Sequence, residues 1–120
     1  MSVIRHLSAA ATIALAVPVS ACGRSGEMSV VGELVMAPEV ETFQPCGTTK
    51  PLWIDGDSVL LRGLREAHLD GASDVYAPTI ATLVGKLGPK LDCGFCEAYD
   101  GSFRVERVIS HRADRKSKCP

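Results

Sequence analysis

The first 22 residues, MSVIRHLSAAATIALAVPVSAC, decide how much chain is left to fold and in which compartment it folds. A basic start at Arg5, next to His6, leads into an apolar run from Leu7 to Val19 and then to small residues before Cys22. The run holds 13 residues, well short of the ~20 that a membrane-spanning helix needs. Basic, apolar, then small is the order of an export signal that is removed on maturation. Taking residues 1–21 from a chain of 120 leaves 99, enough for one domain, since domains usually run to about 100–150 residues. Much of the 46% hydrophobic content leaves with the signal.

The end of that segment, Val19-Ser20-Ala21-Cys22, resembles the bacterial lipobox: an aliphatic residue, two small ones, and the cysteine that is lipidated and becomes the new N-terminus. The resemblance implies a mature chain that starts at Cys22 and is anchored by acyl chains such as palmitate. One chain anchors only marginally, so stable attachment needs a multiply acylated terminus. Position 23 is Gly, not the Asp that marks such proteins for the inner membrane. The expected location is therefore the outer membrane of a Gram-negative envelope, with the membrane as the first partner. The organisation read from the sequence is residues 1–21 as signal, 22–28 as lipidated terminus and tether, and 29–120 as the folded domain.

Export also sets the redox context, because disulfides form and persist outside the cytoplasm. With Cys22 committed to lipid, four thiols remain: Cys46, Cys93, Cys96 and Cys119. Four cysteines allow three connectivities. The mature chain carries 12 basic residues, the 13 of the full chain less Arg5, against 14 acidic ones. That balance, and only six Phe, Trp and Tyr in all, argue against nucleic acid as a partner. Rings at Phe43, Trp53, Tyr76, Phe95, Tyr99 and Phe103 are the raw material of a stacking platform, but so small a domain needs most of them in its core.

From Ser29 the pattern changes to short apolar runs bounded by turn residues, beginning with Val30, Val31, Leu34 and Val35 among small and acidic neighbours. SVVGELVMA, from Ser29, reads as a strand with Gly32 at a bend or bulge. VETF continues as a second strand, QPCGTTKP as a turn, and Leu52-Trp53-Ile54 as a third strand closed by Asp55-Gly56, a hairpin-like signal. Asp57 to Leu69 is the one helix: Asp57 or Ser58 caps it; Leu60, Leu61, Leu64, Ala67 and His68 share a face; Gly71 is placed to end it with positive φ. Gly63 inside it costs about 1 kcal/mol relative to Ala. Thr79 to Leu87, rich in β-branched residues, is the longest strand. SFRVERVIS is the last, and HRADRKSKCP is a charged tail. The implied fold class is mainly β: a small OB-like five-stranded barrel with one α-helix between the third and fourth strands.

Thr42-Phe43-x-x-Cys46, Pro78 with Thr82-Leu83-x-Gly85, the Val-rich last strand and the terminal cysteine resemble the C-terminal domain of the NlpE lipoprotein family. The match extends from about Val31 to Cys119. It implies an OB fold, a disulfide between Cys46 and Cys119, and an envelope role of the kind this family serves in stress signalling, surface sensing and copper homeostasis. The family's N-terminal domain, with its own Cys-x-x-Cys, has no counterpart here, so copper and signalling roles tied to it are not carried over. The Cys93/Cys96 pair is not part of the family pattern. With Cys46 and Cys119 assigned to each other, Cys93 and Cys96 are expected to bond across the short turn that Gly94 permits.

Cys93-Gly94-Phe95-Cys96 has three chemical readings. A thioredoxin-type centre needs the motif at the N-terminus of a helix that lowers the thiol pKa, and Glu97-Ala98-Tyr99-Asp100-Gly101 turns too soon. A structural metal site needs four ligands; Copper(I) accepts fewer soft ones and is the metal to consider. A local staple needs nothing more. Catalytic motifs are absent: no Gly-x-Ser-x-Gly elbow, phosphate loop or His-Glu-x-x-His occurs. Of the mature histidines, His68 falls on the apolar helix face as a core residue, and His111 is expected to be solvated in the tail. The basic tail residues Arg112, Arg115, Lys116 and Lys118 suit either solvent or anionic head groups. The expectation is a non-enzymatic, cofactor-free, lipid-anchored binding or stress-sensing module with an envelope protein as partner. The alternative is a periplasmic thiol-redox or copper-handling protein using Cys93 and Cys96.

Overall fold

A computed structural model describes residues 26–112 and 118–120. The signal, Cys22, the start of the tether, Arg115 and Lys116 lie outside the described residues. Five strands, β1 (Met28–Ala37), β2 (Val40–Pro45), β3 (Leu52–Gly56), β4 (Thr79–Gly88) and β5 (Ser102–Arg112), close into a barrel in the order β1-β2-β3-β5-β4. The helix α1 (Ser58–Gly71) lies between β3 and β4 in sequence. This is the OB-like barrel that the pattern implies.

Closure depends on β1. Its first part, Met28 to Leu34, pairs with β4, and its second part, Gly32 to Ala37, pairs with β2. One ten-residue strand thus serves both neighbours, bending where the two ladders overlap at Gly32 to Leu34. Gly32 keeps ordinary pairing, opposite Pro45 and Ala81, and forms no bulge. Its lack of a side chain serves packing instead: a Cβ there would meet the Gln44 carbonyl at 2.6 Å and the Phe43 ring at 2.7 Å. The bulges lie in the β4–β5 ladder, between Thr82 and Leu83 and between Val84 and Gly85, where they add the twist that a small barrel needs.

Alternation sends Leu34 and Met36 from β1, Phe43 from β2, Ile54 from β3, Ala81 and Leu83 from β4, and Phe103 and Val105 from β5 into one core. Phe43 and Phe103 meet with ring centroids 5.0 Å apart. Leu64 of α1 joins this cluster, with Leu60 and Leu61 half-buried beside it. The helix starts as expected: Asp57 accepts from the Val59 and Leu60 amides at 3.0 and 3.2 Å. It ends differently. Gly71 is the last helical residue, and Ala72, with φ −70° and ψ 138°, leaves in extended geometry while its amide bonds to the His68 carbonyl. No left-handed residue is used. Asp55-Gly56 closes no hairpin either; Gly56, at φ 156°, carries β3 into the cap of α1 because β3 pairs in parallel with β5. The tight hairpin is β1–β2, turning at Pro38-Glu39 with Glu39 at φ 64°, a proline followed by a positive-φ residue.

Candidate functional site

Strand direction gives the barrel two unlike ends. The starts of β1, β3 and β5 and the ends of β2 and β4 share one end; α1, the β1–β2 turn and the start of β4 form the other. All four disulfide cysteines are at the first end. Cys46, just past β2, has its amide bonded to the Val31 carbonyl at 2.9 Å and its sulfur joined to Cys119. The bond therefore returns the chain terminus to the end from which β5 departs, as the family resemblance implies.

Cys93 and Cys96 are also bonded to each other, inside the connection from Gly88 to Ser102. Gly94 takes φ 79°, and Phe95–Ala98 form one 3₁₀ turn. Cys96 is fully buried, whereas Cys93 is exposed. The connection is held at several points: the Tyr99 ring lies 5.6 Å from Trp53, the Ser102 hydroxyl donates to the Pro89 carbonyl at 2.7 Å, and Lys50 pairs with Asp100 at 3.2 Å. The four-residue turn is too short to act as a thiolate-stabilising helix. Among the described residues, no group of three or more His, Cys, Asp or Glu is placed to hold a metal ion.

The opposite end carries a cleft of about 300 Å³ between α1 and the β1–β2 turn, lined by Met36, Ala37, Pro38, Leu69 and Val75, with Glu39, Glu41 and Arg65 at its polar side. Arg65 of α1 grips both carboxylate oxygens of Glu41 on β2, at 2.9 and 3.0 Å. One guanidinium nitrogen, Nη2, makes both contacts, and this charge-assisted pair forms one wall. Nothing local in the sequence marks it, because the partners are 24 residues apart on different elements.

Behind Val75 runs a chain of polar groups. The His68 Nε2–H donates to the Val75 carbonyl at 2.8 Å, which can only accept. The His68 Nδ1 lies 3.0 Å from the Thr79 hydroxyl, which also lies 2.8 Å from His111 Nε2 and 3.4 Å from the Leu34 carbonyl. His68 and Thr79 are both buried, so His68 is the core histidine expected from its helix face. His111 is a correction: it is neither tail nor fully solvated, because β5 continues to Arg112 and pairs His111 with Ala81. Its pKa is lowered, first by burial and then by the neighbouring His68 charge. Thr79 escaped notice because nothing in sequence separates a strand-starting Thr from a hydrogen-bonded hub.

Of the six rings, Phe43 and Phe103 are buried in the core, Trp53 and Tyr99 are half-buried, and Phe95 and Tyr76 are exposed. No continuous platform results. No helix among the described residues is long and apolar enough to cross a membrane. Comparison with family models, with curated proteins and with solved structures returned no match.

Proposed function

We propose that this chain is a lipid-anchored, non-enzymatic envelope protein whose OB-like barrel works as a binding or stress-sensing module, in the manner of the NlpE-type domain it resembles. The observation that carries the reading is the polarity of the barrel. The strand that follows the lipobox-like segment enters at the end that holds both disulfides, and the cleft lined by Met36, Leu69, Val75 and the Arg65–Glu41 pair opens at the other. A barrel tethered by its N-terminus thus offers this cleft away from the membrane, where an envelope protein can reach it. Two oxidised cysteine pairs suit an exported protein. The His68–Thr79 pair is buried and faces no solvent, which favours a structural role over catalysis.

Labelling of cells with palmitate, followed by membrane fractionation, tests the reading. The native chain is expected to carry label and sediment with the outer membrane, and the Cys22→Ser chain to lose both. A Cys22→Ser chain that remains in the outer-membrane fraction after a high-salt wash rejects the anchor. Turnover in an insulin-reduction assay that disappears on Cys93→Ser rejects the non-enzymatic reading in favour of thiol chemistry.

A further inference from the structure

Phe95 stands out among the exposed side chains. It is 56% exposed at the head of the 3₁₀ turn, while its neighbour Cys96 is fully buried. A flexible loop would let a phenyl ring fold back onto apolar surface. This one is fixed by the Cys93–Cys96 bond, by Tyr99 against Trp53 and by the Ser102–Pro89 hydrogen bond. Leu87 at 60% exposure, Met28 at 40% and Val31 at 36% are other large apolar residues exposed toward this end. Single exposed apolar groups are ordinary; four toward one barrel end, with one held out on a covalently closed turn, form an apolar tip.

The chain outside the structure says what lies against that tip. Met28 is the first residue of β1 and pairs with Gly85 of β4, so the tether joins the barrel at the end that carries Leu87 and the Cys93–Cys96 turn. Only five residues, Gly23 to Glu27, separate an acylated Cys22 from Met28, a reach of at most about 20 Å when fully extended. Charges of both signs share this end: Lys50 pairs with Asp100, and Glu27, Asp92 and Glu97 stand among Arg24, Lys86, Lys90 and Lys118 in sequence. Salt dependence therefore separates apolar insertion from attraction to anionic head groups.

We propose that the Cys93–Cys96 turn is a membrane wedge: Phe95, with Leu87 and Met28 beside it, inserts into the interfacial layer of the bilayer that holds the lipid anchor, fixing the barrel upright with its cleft outward. An aromatic ring at the boundary of head groups and acyl chains is a recurrent interfacial anchor, and burial of a few apolar side chains next to an acyl anchor adds a second attachment to the first. The disulfide's role in this scheme is mechanical, holding the ring out where it would otherwise fold back. The inference rests on lipidation at Cys22.

The test uses the full acylated protein, with acylation of Cys22 established by mass, in vesicles of phosphatidylethanolamine and phosphatidylglycerol whose acyl chains are brominated near the head group. The chain has one tryptophan, Trp53. Trp53→Phe combined with Phe95→Trp places the reporter at the wedge, and Trp53→Phe combined with Leu69→Trp places it at the cleft end. Emission at position 95 is expected to shift to the blue and to be quenched several-fold more than emission at position 69, equally at low and high salt. Adding Leu87→Ser and Met28→Ser should remove more than half of that quenching. Acylated protein whose position 95 is quenched no more than position 69 overturns the wedge and leaves the anchor standing; so does a blue shift without bromine quenching that tracks dimer formation, which would assign the tip to a second copy. A chain lacking acyl mass on Cys22 overturns the anchor and the wedge together.

Discussion

Two disulfides in one barrel end permit an internal comparison. The Cys46–Cys119 bond spans a sequence separation of 73, for which the loop-entropy relation gives about 4.4 kcal/mol; the four-residue ring from Cys93 to Cys96 gives about 1.9 kcal/mol. Replacing each pair by alanine adds a packing loss, and this is larger for the short ring because Cys96 is fully buried. A buried group of that size contributes about 1 kcal/mol. The short-ring variant should thus lose about 3 kcal/mol and the long-ring variant about 4.4 kcal/mol or slightly more. For a domain of this size 1 kcal/mol moves the midpoint by about 4–8 °C, so C46A/C119A should melt roughly 6–12 °C below C93A/C96A. Scanning calorimetry of the two variants and the parent, without reductant, measures this directly. If C93A/C96A melts at or below C46A/C119A, the short ring is a principal stabiliser of the barrel, and the reasoning that makes it a local device is wrong.

Three further outcomes follow from single positions. Gly63 lies in α1 with nothing within 4 Å of a built Cβ, so Gly63→Ala should stabilise the protein by about 0.5–1 kcal/mol in urea unfolding. At Gly85 an added Cβ would strike the Arg104 carbonyl and approach the Phe103 ring to 2.8 Å; Gly85→Ala should open the β4–β5 ladder beside the bulge and cost more than 3 kcal/mol, read as loss of the cooperative transition. His111 has its pKa lowered by burial and by the His68 charge, so below its unfolded pKa of about 6.5 the unfolded chain binds the extra proton and stability is lost as pH falls through the folded value. His111→Gln, which retains a donor for Thr79, should flatten the fall in melting temperature below pH of about 6.5 relative to the parent, and equal slopes would remove His111 from the linkage.

The strands were legible as short apolar or β-branched runs between turn residues, and in β5 the alternation of Phe103 and Val105 does reach the core; in β1 the core takes Leu34 and Met36, whereas Val31 and Val35 of the same run stay outside it. The helix was legible through Asp57 and Leu64. Illegible features are those in which a residue answers to a distant neighbour. Gly32 looks locally like a bulge, yet its empty Cβ position accommodates Phe43 from another strand. Asp55-Gly56 has hairpin composition, but the parallel pairing of β3 with β5 sends the chain into a helix. His111 sits among tail charges in sequence and is recruited by Thr79, 32 positions earlier. The cleft draws Met36, Arg65 and Val75 from three segments, and nothing in any one of them predicts the other two. The cysteines are intermediate: their number and compartment implied oxidation, whereas the exposed Phe95 between a buried and an exposed sulfur is visible only in three dimensions.

Covalent bonds are distributed unevenly over this barrel, and the distribution bears on what each end can do. Both disulfides, the Trp53–Tyr99 contact and the Ser102–Pro89 bond brace the end where β1 begins. The described contacts at the cleft end include a partly exposed ion pair, Arg65–Glu41, of a kind that contributes about 0–1 kcal/mol, and the chain of hydrogen bonds through Thr79. Regions held by few buried contacts open locally at lower free energy than the braced core. The Ala72–Pro78 connection, fastened to the barrel through the Val75 carbonyl on His68, is such a region, and Val75 is at once a wall of the cleft and the acceptor in that chain. The wall of the cleft and the His68–Thr79–His111 hydrogen bonds are thus joined at one residue, and the Thr79 hydroxyl at their centre also lies 3.4 Å from the Leu34 carbonyl. Under the anchored reading, the stiff end meets the membrane and the adjustable end meets the partner.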